Sequence, residues 1–188
     1  DFFWSVSNKQ AWVSLKLAMT LDGKIADSAG NSKWITGEAA REYVHELRRC
    51  HAAVAVGKGT LETDDPRLTV RHKTGYHPAR IVFSSDNKIP SNSYFFQHST
   101  ETRSIVVVSG GDSSEIKKES SIEYWYTGQT DKIRSLQEFV QMAYQQNLTS
   151  IFLEGGQRIA SRFLQAGLVN RIYLFYGSKI LGDGKDGI

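Results

Sequence analysis

Apolar positions along the chain follow two rhythms. Residues 13–18 alternate loosely and read as a strand. Residues 52–56, 80–83, 104–109, 122–126, 150–153 and 171–176 are short apolar runs of the kind buried strands show. Between them lie helical spacings. Ala40, Tyr43, Val44 and Leu47 place an amphipathic helix over 37–49, with Thr36 read as its N-cap and Glu38 early in its first turn. Ile133, Leu136, Val140, Ala143 and Tyr144 mark a second helix. Ile159, Ala160, Phe163 and Leu164 mark a third, stopped by Gly167. Gly57-Lys58-Gly59 turns into a brief helix, and 86–102 is polar and irregular. Strands alternating with helices predict an α/β fold: a mostly parallel central sheet with helices on both faces.

Composition narrows this picture only slightly. The 188 residues, 40% hydrophobic and 23% charged, suit one globular domain spanning 1–188 with a buried core. The longest apolar runs are far too short for a bilayer, so no membrane partner is expected. No basic-then-apolar leader is visible, which gives a cytoplasmic expectation. A net charge of +3 from scattered basic residues is too weak for a nucleic-acid partner, but suits a mildly positive pocket for a phosphorylated small molecule. The single Cys50 excludes an internal disulfide and reads as a small core residue. The five histidines show no paired metal spacing, so no metal is expected.

Chemistry enters where the pattern is broken. Ligands in open α/β sheets bind beyond the carboxyl ends of the strands. Three such ends stand out: Ala18, Gly57-Lys58-Gly59-Thr60, and Glu154-Gly155-Gly156. The adjacent glycines let a backbone approach a ligand closely, and the helix start after Gly156 offers free N–H groups to a phosphate. The G-x-G-x-x-G fingerprint fails, because Gln157, Arg158 and Ile159 follow, so a Rossmann domain is disfavoured. Neither a P-loop nor a nucleophile elbow occurs. Lys16 sits mid-strand between Leu15 and Leu17, where a doubly covered sheet has little exposed face; a buried lysine needs an anion, and Glu154 is the candidate. Asp64-Asp65-Pro66 reads as a turn.

Taken together these segments resemble a known family. Leu15-Lys16-Leu17-Ala18, Leu21-Asp22-Gly23-Lys24, Gly30-x-Ser32-x-Trp34-Ile35-Thr36, Ala40-Arg41, Leu47-Arg48, Asp64-Asp65-Pro66-x-Leu68-Thr69-Val70-Arg71, Glu154-Gly155-Gly156 and Leu164-x-x-Gly167-Leu168-Val169 match the reductase domain of the bacterial and plant-type bifunctional riboflavin biosynthesis deaminase/reductase. The likeness runs from about residue 12 to 184, and residues 72–149 carry little of it. It implies a dihydrofolate-reductase-like fold and NADPH as cofactor. The implied reaction reduces 5-amino-6-(5-phosphoribosylamino)uracil to its phosphoribityl product. It further implies a homodimer; the apolar 172–176 strand reads equally well as part of such an interface or as core packing.

Carried over by position, the substrate contacts are Ser32, Arg48, Leu68, Arg71 and Glu154, with both arginines facing a phosphate. The NADPH contacts are Ala18, Trp34, Thr60, Asp64, Ser85 and the segment Gly156, Gln157, Arg158, Ile159, Ala160, Ser161, Arg162. Ser84, Ser85 and Arg103 stand as candidates for the 2′-phosphate. Lys16 and Glu154 are assigned nearest the chemistry: Lys16 donates to the sugar oxygen during ring opening and Glu154 orients the sugar. Gln157 and Arg158 replace the Pro-Thr-like pair common in the family. The H-x-E…P-C-x-x-C zinc site of the family's deaminase half is absent. The chain is therefore expected to be either the reductase domain of a longer protein fused to a zinc deaminase, or a stand-alone reductase, with its C-terminal strands incomplete. Three alternatives stand beside this reading: a pterin-using enzyme of the same fold, a reductase of the undeaminated diaminopyrimidinone, and an inactive nucleotide-binding module.

Overall fold

The computed structural model describes residues 1–30, 35–70, 77–111 and 114–187. An N-terminal helix α1 (Phe2–Asn8) leads into β1 (Trp12–Thr20) and the short β2 (Lys24–Ala26). Helix α2 (Glu38–Arg49), β3 (Ala53–Gly57), α3 (Lys58–Asp64) and β4 (Ala79–Ser84) follow. Next come α4 (Tyr94–Gln97), β5 (Ser104–Ser109), β6 (Glu115–Glu119) and β7 (Ile122–Thr127). The chain closes with α5 (Lys132–Gln145), β8 (Ser150–Leu153), α6 (Gln157–Gln165), β9 (Arg171–Gly177) and β10 (Lys185–Asp186).

Eight strands form one sheet in the order β6-β7-β5-β4-β3-β8-β1-β9. Every pair is parallel except β6 with β7. Because successive strand residues face opposite sides, an all-apolar strand needs cover on both. On one face Leu15, Ala55, Ile81, Val107 and Leu153 pack under α5 and α6 through Phe139, Val140, Ile159 and Phe163. On the other, Val54, Val56, Val82, Val106 and Phe152 pack under α2, α3 and α4 through Val44, Leu47, Leu61 and Phe95. Each fully buried Leu, Ile or Phe contributes about 1.5–3 kcal/mol of transfer free energy. The two-sided arrangement therefore supplies most of the fold's stability.

Several elements depart from the sequence reading. Helix α2 begins at Glu38 with Gly37 as its uncapped N-cap, so Thr36 does not cap it; the Thr36 carbonyl accepts instead from Arg41 Nη1 at 2.9 Å. Cys50 is exposed, not a core residue, because it follows the last turn of α2 on its solvent side. The charged strand β6, Glu-Ile-Lys-Lys-Glu, shows no apolar alternation; pairing with β7 recruits it, and its charges protect a sheet edge from further pairing. Gly167 ends α6 as expected: it sits at φ +66°, and Leu168 N donates back to Phe163 O.

A buried histidine ties α2 to the sheet. His51 Nδ1 donates to Leu47 O at 2.6 Å, which leaves Nε2 to accept from Ser14 Oγ at 2.9 Å; the ring lies 5.0 Å from Phe152. Ser14 Oγ accepts in turn from Trp12 Nε1 at 3.1 Å. Burial, opposed by the Leu47 bond, holds the His51 pKa below its ordinary 6.5. A folded pKa below the unfolded one gives stability that is complete above pH 6.5 and erodes as the pH falls toward the folded value. The melting temperature is thus expected to decline between pH 7 and pH 5, and to decline less steeply in His51→Gln. Equal slopes in the two proteins would show that His51 is not the group responsible.

Candidate active site

A cleft of about 960 Å³ runs along the carboxyl ends of β1, β8, β3, β4 and β5. That is the upper end of the size range for small-molecule sites. Its described lining carries seven cationic side chains (Lys16, Arg41, Lys58, Lys132, Arg158, Arg162 and Lys185) against three acids (Glu62, Asp64 and Glu154), so it favours an anionic ligand.

Lys16 and Glu154 meet because β1 and β8 are neighbours, paired Leu15 to Leu153. Glu154 lies two residues beyond Phe152 and so continues the face that packs against α2. Ser14, two residues before Lys16, bonds His51 on that same face. Lys16 makes no hydrogen bond among the described residues, and its Nζ sits 5.9 Å from the Phe175 ring. Burial lowers its pKa; the Glu154 carboxylate opposes this and the Arg48 guanidinium adds to it. The strongest partner of Glu154 is Arg48, not Lys16. Arg48 Nε donates to Oε1 and Nη2 donates to Oε2 at 2.8 Å, while Nη1 donates to Thr69 O at 2.8 Å. Burial works against the Glu154 carboxylate, and Arg48, aided by Lys16 and His45, outweighs it and keeps the pKa below the ordinary range.

Arg48 enters the site through Glu154. It stands behind Glu154 and is absent from the cleft wall, with three of its donors already engaged. Ala18, Thr60, Asp64, Leu68, Ser85, Gly156, Gln157, Arg158, Ile159 and Arg162 do line the cleft. Ala160 does not, being fully buried on the core-facing side of α6, and Ser161 is likewise off the wall. Ser32, Trp34 and Arg71 lie outside the described residues. Arg103 is excluded from this edge: it precedes β5 and pairs with Glu123 at 2.9 and 3.0 Å, at the opposite end of the sheet. Asp22 also turns away from the cleft. It accepts from Thr20 Oγ1 at 2.6 Å and from Gly182 N at 2.8 Å, anchoring the loop after β9. The Thr20 hydroxyl, opposed by desolvation and helped by the Gly182 and Leu181 N–H groups, holds its pKa at about 2.

Two backbone devices shape the wall. Gly155 and Gly156 both have positive φ, +151° and +83°, and a Cβ on Gly156 would lie 3.0 Å from Thr60 Oγ1. Only glycine allows this approach of α6 to α3. Helix α6 has neither a side-chain cap nor an acid in its first turn, and the first bonds to Gly156 O come from Ile159 and Ala160. The N–H groups of Gln157 and Arg158 therefore precede the bonded turn and face the cleft end. Leu68 has φ +56°, unusual for a branched residue; its side chain is buried in the α2-side core, which holds the strained turn and leaves the backbone at the cleft.

The reading from sequence missed Lys132, Ser109 and Lys185 on the wall. The first two belong to the middle of the chain, where no local motif marks them. Lys185 arrives only because β10 pairs antiparallel with β2, which brings its Nζ beside Gly30.

Residues 11–188 match the family model described as RibD C-terminal domain. The chain is 33% identical over 183 residues to the riboflavin biosynthesis protein RibD of Actinobacillus pleuropneumoniae, covering 96% of this chain and 49% of that protein. It is 34% identical over 171 residues to the chloroplastic riboflavin biosynthesis protein PYRR of Arabidopsis thaliana, covering 91% and 28%. Among solved structures it superposes on a diaminohydroxyphosphoribosylaminopyrimidine deaminase/5-amino-6-(5-phosphoribosylamino)uracil reductase from Thermotoga maritima. That match has a TM-score of 0.80 and 34% identity, and covers 99% of this chain and 50% of that one. The chain thus spans about half the length, or less, of these relatives. With a match reaching across nearly all of its residues, the chain belongs to the RibD C-terminal domain family.

Proposed function

We propose that the chain reduces 5-amino-6-(5-phosphoribosylamino)uracil to 5-amino-6-(5-phosphoribitylamino)uracil with NADPH, as the reductase half of a deaminase/reductase of riboflavin biosynthesis. The observation that carries this reading is the placement of Lys16 beside Glu154, where the α6 end of the cleft meets the Leu68 end. The residues fit a dinucleotide: Gly156 and the free N–H groups of Gln157 and Arg158 suit a pyrophosphate, with Thr60 and Arg162 alongside. When bound, NADPH supplies the hydride.

The chain's own residues then do the rest. The ammonium of Lys16 gives its proton to the ring oxygen of the ribose as the C1′–O bond breaks. The lone pair of the exocyclic nitrogen forms C=N, and C1′ becomes the hydride acceptor. One hydride and one proton are added in all, so the balance closes on the open-chain ribityl product. Glu154, ionised and fixed by Arg48, accepts from the sugar hydroxyls and holds C1′ in place. Leu68 presents backbone to the substrate, and Ala18, Asp64 and Ser85 border the coenzyme. No described helix is long and apolar enough to cross a membrane, and the reading carries a cytoplasmic location with it. It also carries a homodimer: Ile172, Leu174 and Tyr176 are exposed on one face of the edge strand β9, which suits a second copy.

The test is nicotinamide oxidation followed by absorbance, with the uracil phosphate against its undeaminated precursor. Oxidation with the uracil compound is expected. Oxidation with the precursor alone would move the enzyme to the other substrate, and NADPH binding with no oxidation by either would leave an inactive binding module.

A further inference from the structure

Beyond the pyrophosphate end, the cleft continues to the carboxyl ends of β4 and β5. Ser84 ends β4 with Ser85 next to it, and Ser109 ends β5. Lys132, the first residue of α5, reaches back to this edge, and its Nζ donates to Ser109 Oγ. Strands lie about 4.8 Å apart, so the order β8-β3-β4-β5 puts Ser109 three strands, about 14 Å, from the strand carrying Glu154. A dinucleotide laid across the strand ends, with its pyrophosphate at Gly156, brings its adenosine ribose to this edge.

The charges here are unevenly used. Lys58 is taken by Asp86 at 2.8 Å and by Glu62 at 3.8 Å. Asp86, the acid nearest β4 in the chain, accepts at Oδ1 from Lys58 Nζ, from Lys88 N at 3.0 Å and from Ser84 Oγ at 3.3 Å, and it is absent from the cleft wall, so it offers no carboxylate to a ribose diol there. Asp131, next to Lys132, caps α5 by accepting from Arg134 N at 2.9 Å. Lys132 has no carboxylate partner among the described residues, only a hydroxyl. A cleft ammonium bonded to one serine hydroxyl, on a wall that also carries Ser85, and without a counter-ion among the described residues is complementary to a phosphate dianion.

We infer that Lys132, with Ser109 and Ser85, holds the 2′-phosphate of the coenzyme and makes this chain select NADPH over NADH. The inference rests on the dinucleotide reading of the cleft but not on the identity of the pyrimidine. The earlier candidate Arg103 is replaced by a residue from a different element.

The test uses the full chain and two probes that need no turnover, 2′,5′-ADP and 5′-AMP, measured by calorimetry, alongside kcat/KM for NADPH and NADH. The unaltered chain is expected to bind 2′,5′-ADP about 10–100-fold more tightly than 5′-AMP. Lys132→Met should lose that preference, with the NADPH penalty on KM rather than kcat. Lys132→Arg should keep most of it, and Ser109→Ala should lose a smaller part. Absence of any preference in the unaltered chain overturns the inference. So does a Lys132→Met variant that keeps the preference or weakens both probes equally, since a structural role would do the latter. If the 2′-phosphate preference depends on Lys132 but no pyrimidine is reduced, the substrate reading fails and this inference stands.

Discussion

Lys16→Met is expected to lower kcat by about 10²–10⁴-fold while leaving the melting temperature unchanged or raised. Both halves follow from one fact about the site. Lys16 is held in a largely buried position with no hydrogen bond among the described residues, its amine beside Glu154 and above Phe175. Burial disfavours its charge, so methionine, with a stem of similar shape, removes an electrostatic cost without opening a cavity. The Glu154 carboxylate keeps its main counter-ion in Arg48. The same burial keeps the Lys16 pKa below the ordinary lysine value. A protonated donor with a lowered pKa is lost as the pH rises through that pKa, so the rate of the unaltered chain should fall on an alkaline limb beginning below pH 10.5. Lys16→Arg should not restore the rate, because a guanidinium does not give up a proton in this range. Near-normal turnover of a folded Lys16→Met chain would remove Lys16 from the chemistry.

Breaking the Arg48–Glu154 pair is expected to have the largest effect on stability. The two side chains are only 12% and 9% exposed, and they meet through two parallel bonds. Removing one partner of a buried pair leaves the other charge without compensation, at about 3–5 kcal/mol. For a domain of this size that lowers the melting temperature by roughly 6–20 °C. Arg48→Met and Glu154→Gln should each show it, Glu154→Gln less because its amide still hydrogen-bonds. The double variant Arg48→Met/Glu154→Leu should regain most of the loss, since a matched apolar pair needs no counter-charge, and still be inactive. A double-mutant cycle on melting temperature and kcat measures both. Additive losses would mean that the pair is not coupled. Recovered activity in the double variant would show that Glu154 does not hold the sugar.

Much of the architecture can be read from local pattern. The strands ending at Ser109 and Leu153 keep the same limits in the structure, and α5 and α6 contain every apolar position that marked them. These elements carry their own signal in apolar period, and Gly167 marks a stop that backbone geometry demands. Strand β6 and helix α1 carry none, being a charged segment fixed by its neighbour and a short helix beside Trp12.

The sequence by itself determined which residues break the pattern: a lysine inside an apolar strand, a glutamate at the end of another, and paired glycines before a helix. Such positions are costly without a purpose, and the cost is local, so it is visible without a fold. Only the tertiary structure decided who meets whom. Arg48 reaches a glutamate 106 positions away and serves as its counter-ion. Lys132 reaches Ser109 across 23 positions, producing a cationic pocket that no motif announced. The order in which strands adjoin sets those partners, and hydrophobic periodicity, which reports only which face of an element is buried, does not encode that order.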